Sequence, residues 1–204
     1  MTQIIYDAIP NFYSDPESIR SDALTAKYER IPGGPYLGRD TLDTMIITPE
    51  LDEKVATYFP FPVKIIKARY RYAVDGDTLL SYIHCDQEEK SHWHILISLT
   101  VNKENQDNKE NQDDRPRDGL YLWEHVKYGR YCTEKQIKNP RIMHDLMRDT
   151  QNMSKWRLWH TEPYEYNKAV IVDYSYFHSS SVKTGFGSTI NDSRLIHIIE
   201  VARA

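Results

Sequence analysis

From Val63 onward the chain is a succession of short segments rich in valine, isoleucine, tyrosine and tryptophan, each closed by turn residues. They are Val63–Ala73, Leu79–His84, Trp93–Val101, Leu120–His125, Ala169–Asp173, His178–Val182 and Leu195–Val201. Such side chains suit the pleated, half-buried surface of a sheet. Helical signals are few and do not alternate with the strands, as parallel βαβ units require. The pattern therefore predicts a mainly β fold, an antiparallel sandwich or barrel. At 204 residues it is read as one domain, large enough to bury about 70% of its unfolded surface without a disulfide or metal staple.

The helices are announced by their caps. Asp15-Pro16-Glu17 supplies an N-cap, a proline at the first helical position and an acid in the first turn, with Ile19, Ala23, Ala26 and Tyr28 following. Thr48-Pro49-Glu50 repeats the signal ahead of Leu51, Val55 and Tyr58. Asn139-Pro140 opens a third helix, striped by Ile142, Met143, Leu146 and Met147. Residues 1–60 thus form a helical N-terminal part. Between strands, Lys103-Glu104-Asn105-Gln106-Asp107 recurs as Lys109-Glu110-Asn111-Gln112-Asp113 inside a polar stretch, 102–118. That stretch cannot offset its ordering entropy by burial and reads as a mobile surface loop.

Charge and cysteine content exclude several functions. A net charge of −4 disfavours a general nucleic-acid binder, although a local basic groove keeps nucleic acid open as a substrate. Cys85 and Cys132 are too few for a secreted disulfide framework, so two reduced thiols in a cytoplasm are expected. No basic start, signal-like run or membrane-length apolar stretch is read in the sequence.

Eight histidines offer chemistry, and His84-Cys85-Asp86 stands directly after an apolar strand. Alone it means little, since 17 aspartates make a chance His-x-Asp common, and His160-Thr161-Glu162 is a rival of the same form. Its downstream context singles it out. His178 opens a strand 92 residues beyond Asp86, and Arg194 opens the last strand after the turn at Gly185-Phe186-Gly187. Two histidines and one carboxylate on one face of a metal leave adjacent positions open, the arrangement of non-haem Fe(II) oxygenases. His160-Thr161-Glu162 has no such continuation. A dianionic 2-oxo acid chelating the metal would leave its far carboxylate buried, and a planar arginine such as Arg194 suits that partner role.

Together His84-x-Asp86, His178 and Arg194 resemble the 2-oxoglutarate/Fe(II)-dependent dioxygenase superfamily. A closer resemblance is to a mostly uncharacterised group of oxygenase-like proteins from phages and bacteria. It rests on Pro10-Asn11-Phe12 with Asp15-Pro16, the glycine-proline loop Ile31 to Arg39 and Tyr82-Ile83-His84-Cys85-Asp86. Further marks are Tyr166-Asn167-Lys168 before Val170–Asp173, Phe177-His178-Ser179 and Ser193-Arg194-Leu195. The resemblance implies a double-stranded β-helix (jelly roll), with N-terminal helices packed on the major sheet and one helix inserted between later strands. It also implies Fe(II) held by His84, Asp86 and His178, with 2-oxoglutarate as co-substrate bound by Arg194 and Tyr72. Tyr70 and Tyr82 compete with Tyr72 for that place. The implied reaction couples oxidative decarboxylation of 2-oxoglutarate to hydroxylation of an unidentified small molecule or side chain by O2. The pattern departs from the superfamily in the 16-residue gap between His178 and Arg194, and from the closer group in Lys168, where arginine is usual.

Two other classes compete: a jelly-roll binding module without catalysis, and a metal enzyme that does not use 2-oxoglutarate. His92 and His94 flank Trp93, but no glutamate follows as a cupin motif needs, so they are expected to be structural or substrate-lining. Cys85 is expected to pack. Tyr121, Trp123 and His125 suit either a mouth or a core, and Asn167 is a candidate for holding the loop before the His178 strand.

Overall fold

The computed structural model describes residues 6–30, 38–77, 83–86, 92–101, 119–180 and 185–204. The duplicated stretch 102–118, Tyr82, most of the Leu79–His84 strand, residues 181 and 182, and residues 31–37 of the glycine-proline loop lie outside them. In chain order the elements are β1 (Tyr6–Ile9), α1 (Pro16–Thr25), β2 (Tyr28–Glu29), β3 (Arg39–Thr41), α2 (Pro49–Tyr58), β4 (Val63–Ala73) and β5 (His92–Ser98). There follow β6 (Gly119–His125), α3 (Glu134–Ile137), α4 (Pro140–Asp149), β7 (Trp156–Pro163), β8 (Ala169–Asp173), β9 (His178–Ser180) and β10 (Arg194–Arg203).

The strands form a seven-stranded sheet, β1-β8-β5-β10-β4-β3-β2, and a three-stranded sheet, β7-β6-β9. Every pairing of these strands is antiparallel. Strand β10 is central, pairing Ile196 with both Arg71 and Ser98, and its alternation divides the interior. Leu195, Ile199 and Val201 pack with Ile19 and Ala23 of α1 and Leu51 and Val55 of α2. Ile196 and Ile198 face the other way, onto Leu120 and Leu122 of β6. The two N-terminal helices therefore cover one face of the large sheet, and the small sheet covers the other.

Each long helix starts where its cap predicts. Asp15 accepts from the Ser18 amide, Thr48 from that of Leu51, and Asn139 from those of Arg141 and Ile142, each with proline following. Elements without a strong apolar pattern, β1, the short β2 and β3 and the single-turn α3, are not announced by the sequence, and Ala26 and Tyr28 lie beyond the end of α1 at Thr25 and not on it. Strand β7 is not announced either, because His160 and Glu162 interrupt its apolar run. No helix among the described residues is long and apolar enough to cross a membrane.

Asn167 adopts a left-handed backbone (φ 59°), which asparagine tolerates better than most residues. Its side chain accepts from the Tyr13 amide at 2.8 Å and donates to the Tyr13 carbonyl at 2.9 Å. Its own carbonyl accepts from Phe12. It thereby clamps the chain entering α1 onto the loop before β8.

On the helix-covered face His197 is fully buried. Its Nδ1 lies 2.8 Å from the Tyr13 hydroxyl, its ring packs on Tyr70, and the Ile46 backbone is the other polar neighbour. Burial pushes its pKa down to about 3. The unfolded chain takes up this proton near pH 6.5 and the folded chain only near pH 3, so stability is full above 6.5 and falls as pH drops below it. The His197 contribution to the slope is about 1.4 kcal/mol per pH unit. Urea midpoints at pH 7 and pH 5 should therefore separate more in the wild-type protein than in His197→Asn. Equal separations would refute this account.

Candidate metal centre

His84, Asp86 and His178 are brought together by the backbone before any side chain acts. The His84 amide donates to the His178 carbonyl at 3.1 Å, and the His178 amide returns the bond to His84 at 2.8 Å. This bridge adds the His84 segment to the small sheet beside β9. One step on, the Asp86 amide donates to the Tyr174 carbonyl at 3.0 Å. Opposite His178 in the register is Leu122, whose side chain belongs to the core between the sheets. His178 therefore points into that space.

One ligand atom from each residue lies within 4.8 Å of the others. Asp86 Oδ2 is 3.4 Å from His178 Nε2, and Asp86 Oδ1 is 3.9 Å from His84 Nε2. The His178 Nδ1 lies 2.9 Å from the Tyr176 carbonyl, which can only accept. Nδ1 therefore carries a hydrogen, and Nε2 is the nitrogen turned toward Asp86, as the outer partner of a metal-binding histidine arranges. Asp86 Oδ2 is buried with no hydrogen-bond partner. A buried carboxylate oxygen without a donor is costly unless a cation joins it. The donor set of two imidazoles and one carboxylate suits Fe(II).

Burial pushes the Asp86 carboxyl up, but His94, His178, His84 and Arg69 outweigh it and hold the group below the usual carboxylate range. His94 was not foreseen as part of this cluster. Its Nδ1 lies 3.5 Å from Asp86 Oδ2, and burial pushes its pKa down to about 4.

Arg194 is 5% exposed and stands opposite Ala73, on the face toward the small sheet, with its guanidinium 5.4 Å from the Tyr164 ring. Tyr72 does not join it. It pairs with Leu195, on the face toward the helices, and its ring meets Tyr28 edge-on at 4.8 Å. Tyr70 shares that helix face. The expectation of a tyrosine from this strand beside Arg194 is corrected by strand parity: Arg69 and Arg71 point between the sheets, and Tyr70 and Tyr72 point away.

Those arginines build a second feature the sequence did not announce. Asp40 binds Arg69 Nε at 2.9 Å and Arg71 Nη2 at 2.6 Å, with a further bond from Arg71 Nε. Arg69 Nη1 also reaches Glu200 at 2.5 Å.

The remaining candidates take structural places. His160 and Glu162 lie 3.3 Å apart, and Glu162 also engages Tyr6 and Lys168. Tyr121 and Trp123 pack with Leu146 of α4 on the outer face of the small sheet, and His125 stacks on Tyr128. Cys85 is buried with Cys132 in that same cluster, and the hydrogen bond between the thiols, with burial, pushes Cys85 well up.

No family model matches the sequence, and no curated protein matches it. Solved structures do. HygX from Streptomyces hygroscopicus, with nickel and 2-oxoglutarate bound, superposes with a TM-score of 0.58 at 12% identity, over 98% of this chain and 83% of that one. The non-haem α-ketoglutarate-dependent carbocyclase SnoK from nogalamycin biosynthesis gives 0.62 at 14%, over 98% and 79%. An oxidoreductase of the 2OG-Fe(II) oxygenase family from Burkholderia pseudomallei gives 0.56 at 7%, over 99% and 86%. At these identities the likeness is one of fold: this chain has the mainly β, two-sheet fold of 2-oxoglutarate-dependent oxygenases.

Proposed function

We propose that the chain is a non-haem iron oxygenase that couples oxidative decarboxylation of 2-oxoglutarate to hydroxylation of a small-molecule or side-chain substrate. The observation that carries this reading is the cluster of His84, Asp86 and His178, with His178 Nε2 turned toward Asp86 and an Asp86 oxygen buried without a donor. The shared fold supports it, since HygX has been solved with nickel and 2-oxoglutarate, and also with hygromycin B. We read the two sheets as a jelly roll forming a single domain, 1–204, acting in a cytoplasm. Kinship with the phage and bacterial group rests on the sequence motifs.

In this reading His84, Asp86 and His178 hold Fe(II). Bound Fe(II) and 2-oxoglutarate supply the oxidising chemistry: O2 delivers one oxygen atom to succinate as CO2 leaves and the other to the substrate. The protein's residues bind and orient. Tyr176 fixes the His178 tautomer through its carbonyl. Arg194, buried between the sheets, holds the far carboxylate of the co-substrate, and Tyr164 braces the guanidinium plane. Tyr72, on the helix face, packs.

The test is an anaerobic titration with Fe(II) and 2-oxoglutarate, reading the visible metal-to-ligand charge-transfer band. Wild-type protein should develop the band. Arg194→Ala should need at least about thirty-fold more 2-oxoglutarate, the equivalent of the 2 kcal/mol or more that truncating a buried charge pair costs. Iron binding without a band would indicate a metal enzyme that does not use oxoglutarate. No iron binding would indicate a binding module.

A further inference from the structure

The fold carries a third histidine to the same carboxylate. His94 lies on β5, which belongs to the large sheet, whereas His84 and His178 belong to the small one. Its register partners are Val172 on one side and Glu200 on the other, and Val172 packs in the core between the sheets. His94 thus projects across the interior, and its Nδ1 comes within 3.5 Å of Asp86 Oδ2.

Tyr174 fixes this approach from both ends. Its carbonyl accepts from the Asp86 amide at 3.0 Å, and its own amide donates to the His92 carbonyl at 3.1 Å. Its ring meets the His94 imidazole edge-on at 4.2 Å between centroids. One residue therefore positions the backbone of the carboxylate and the ring plane of the histidine. His94 stays clear of His178, with ring centroids 6.4 Å apart and planes at 81°, while the His84 and His178 rings lie 4.5 Å apart. The grouping of ligand atoms within 4.8 Å comprises His84, Asp86 and His178. Its own contact with the cluster runs through the Asp86 oxygen that has no hydrogen-bond partner.

We propose that His94 is a positioning residue for the metal centre, an outer donor whose Nδ1–H holds Asp86 by Oδ2 and fixes the rotation of the carboxylate. This rests on the metal-binding part of the proposed function and not on the co-substrate. Hydrogen bonds at unloaded sites are often long and tighten on loading, and outer partners of metal ligands typically carry 10–100-fold in affinity.

Two amide substitutions separate a donor at Nδ1 from any other role. In His94→Asn the side-chain amide can occupy the place of Nδ1, whereas in His94→Gln it falls nearer the place of Nε2. Co(II) affinity, measured by calorimetry on the full chain, should stay at the wild-type value in His94→Asn and weaken 10–100-fold in His94→Gln. Should the glutamine variant fail to fold by circular dichroism, His94→Ala replaces it with the same expectation. Pulsed EPR of the Cu(II)-loaded proteins should count two bound imidazoles in the wild type and in both variants.

Equal affinities in all three proteins would overturn the proposal, as would equal weakening in both variants. Three imidazoles in the wild type falling to two in the variants would make His94 a ligand and overturn it as well. A wild-type protein that binds no Co(II) removes both this inference and the proposed function. One that binds Co(II) in this pattern but forms no oxoglutarate band removes only the latter.

Discussion

The Asp86→Ala protein is expected to melt at the same temperature with and without Co(II), while the wild-type protein gains roughly 5–10 °C at a metal concentration a hundred-fold above its Kd. The wild-type figure follows from mass action: a ligand at that excess adds about 2.7 kcal/mol, and each kcal/mol moves the midpoint of a domain this size by about 2–4 °C. The loss follows from the donor set. Among the described residues Asp86 is the only carboxylate of the grouping, and without it two neutral imidazoles must hold a dication with no compensating charge. Its backbone place is secured independently by the bond from its amide to Tyr174, so the alanine variant keeps the local chain path. Differential scanning fluorimetry on the two proteins decides the matter. A cobalt-dependent shift that survives in Asp86→Ala would mean that the metal sits elsewhere.

Removing the Asp40 carboxylate should produce the largest loss of stability of any single change considered. Asp40 is 5% exposed and binds two arginines that are themselves 6% and 8% exposed. Burial pushes its carboxyl up, yet Arg71 and Arg69 hold it below the usual range, so it is charged when the protein is folded. In Asp40→Ala, Arg69 keeps Glu200, whereas Arg71 loses both bonds it makes to that carboxylate. Breaking a buried pair by deleting one partner costs about 3–5 kcal/mol, far more than the intact pair contributes relative to an apolar substitute. Urea unfolding of Asp40→Ala should show a loss of that order. A loss below about 1 kcal/mol would mean that water reaches Arg71 readily.

Much of this architecture was legible in residue order because its signals are local. The caps at Asp15, Thr48 and Asn139 name their helices within four residues, and the spans Val63–Ala73 and Ala169–Asp173 coincide with β4 and β8. That His84, Asp86 and His178 would be neighbours was legible as well, because His84-x-Asp86 follows an apolar run and His178 opens a strand. Strand parity was less accessible. Arg69-Tyr70-Arg71-Tyr72 alternates two residue types that can both be buried, and nothing within the strand says which faces the other sheet. The register of Arg194 against Ala73 decides it, and that register is set by long-range pairing. A one-residue difference separates a tyrosine beside the candidate co-substrate arginine from one packed under a helix. His94 escaped for a related reason: its role depends on a neighbour carried by the opposite sheet.

The reciprocal backbone bonds between His84 and His178 have a consequence for how the protein is assembled in a cell. A redox-active ion held by a half-folded chain would generate oxidants with no substrate in place to consume them. Here the two imidazoles come from distant parts of the chain and meet only when the small sheet has closed across them. The segment around His84 and Asp86 supplies two members of the grouping and the segment around His178 the third, so neither completes it alone. Under the proposed function the sheet would work as an interlock: the three ligands stand together only once the His84 segment has paired with β9.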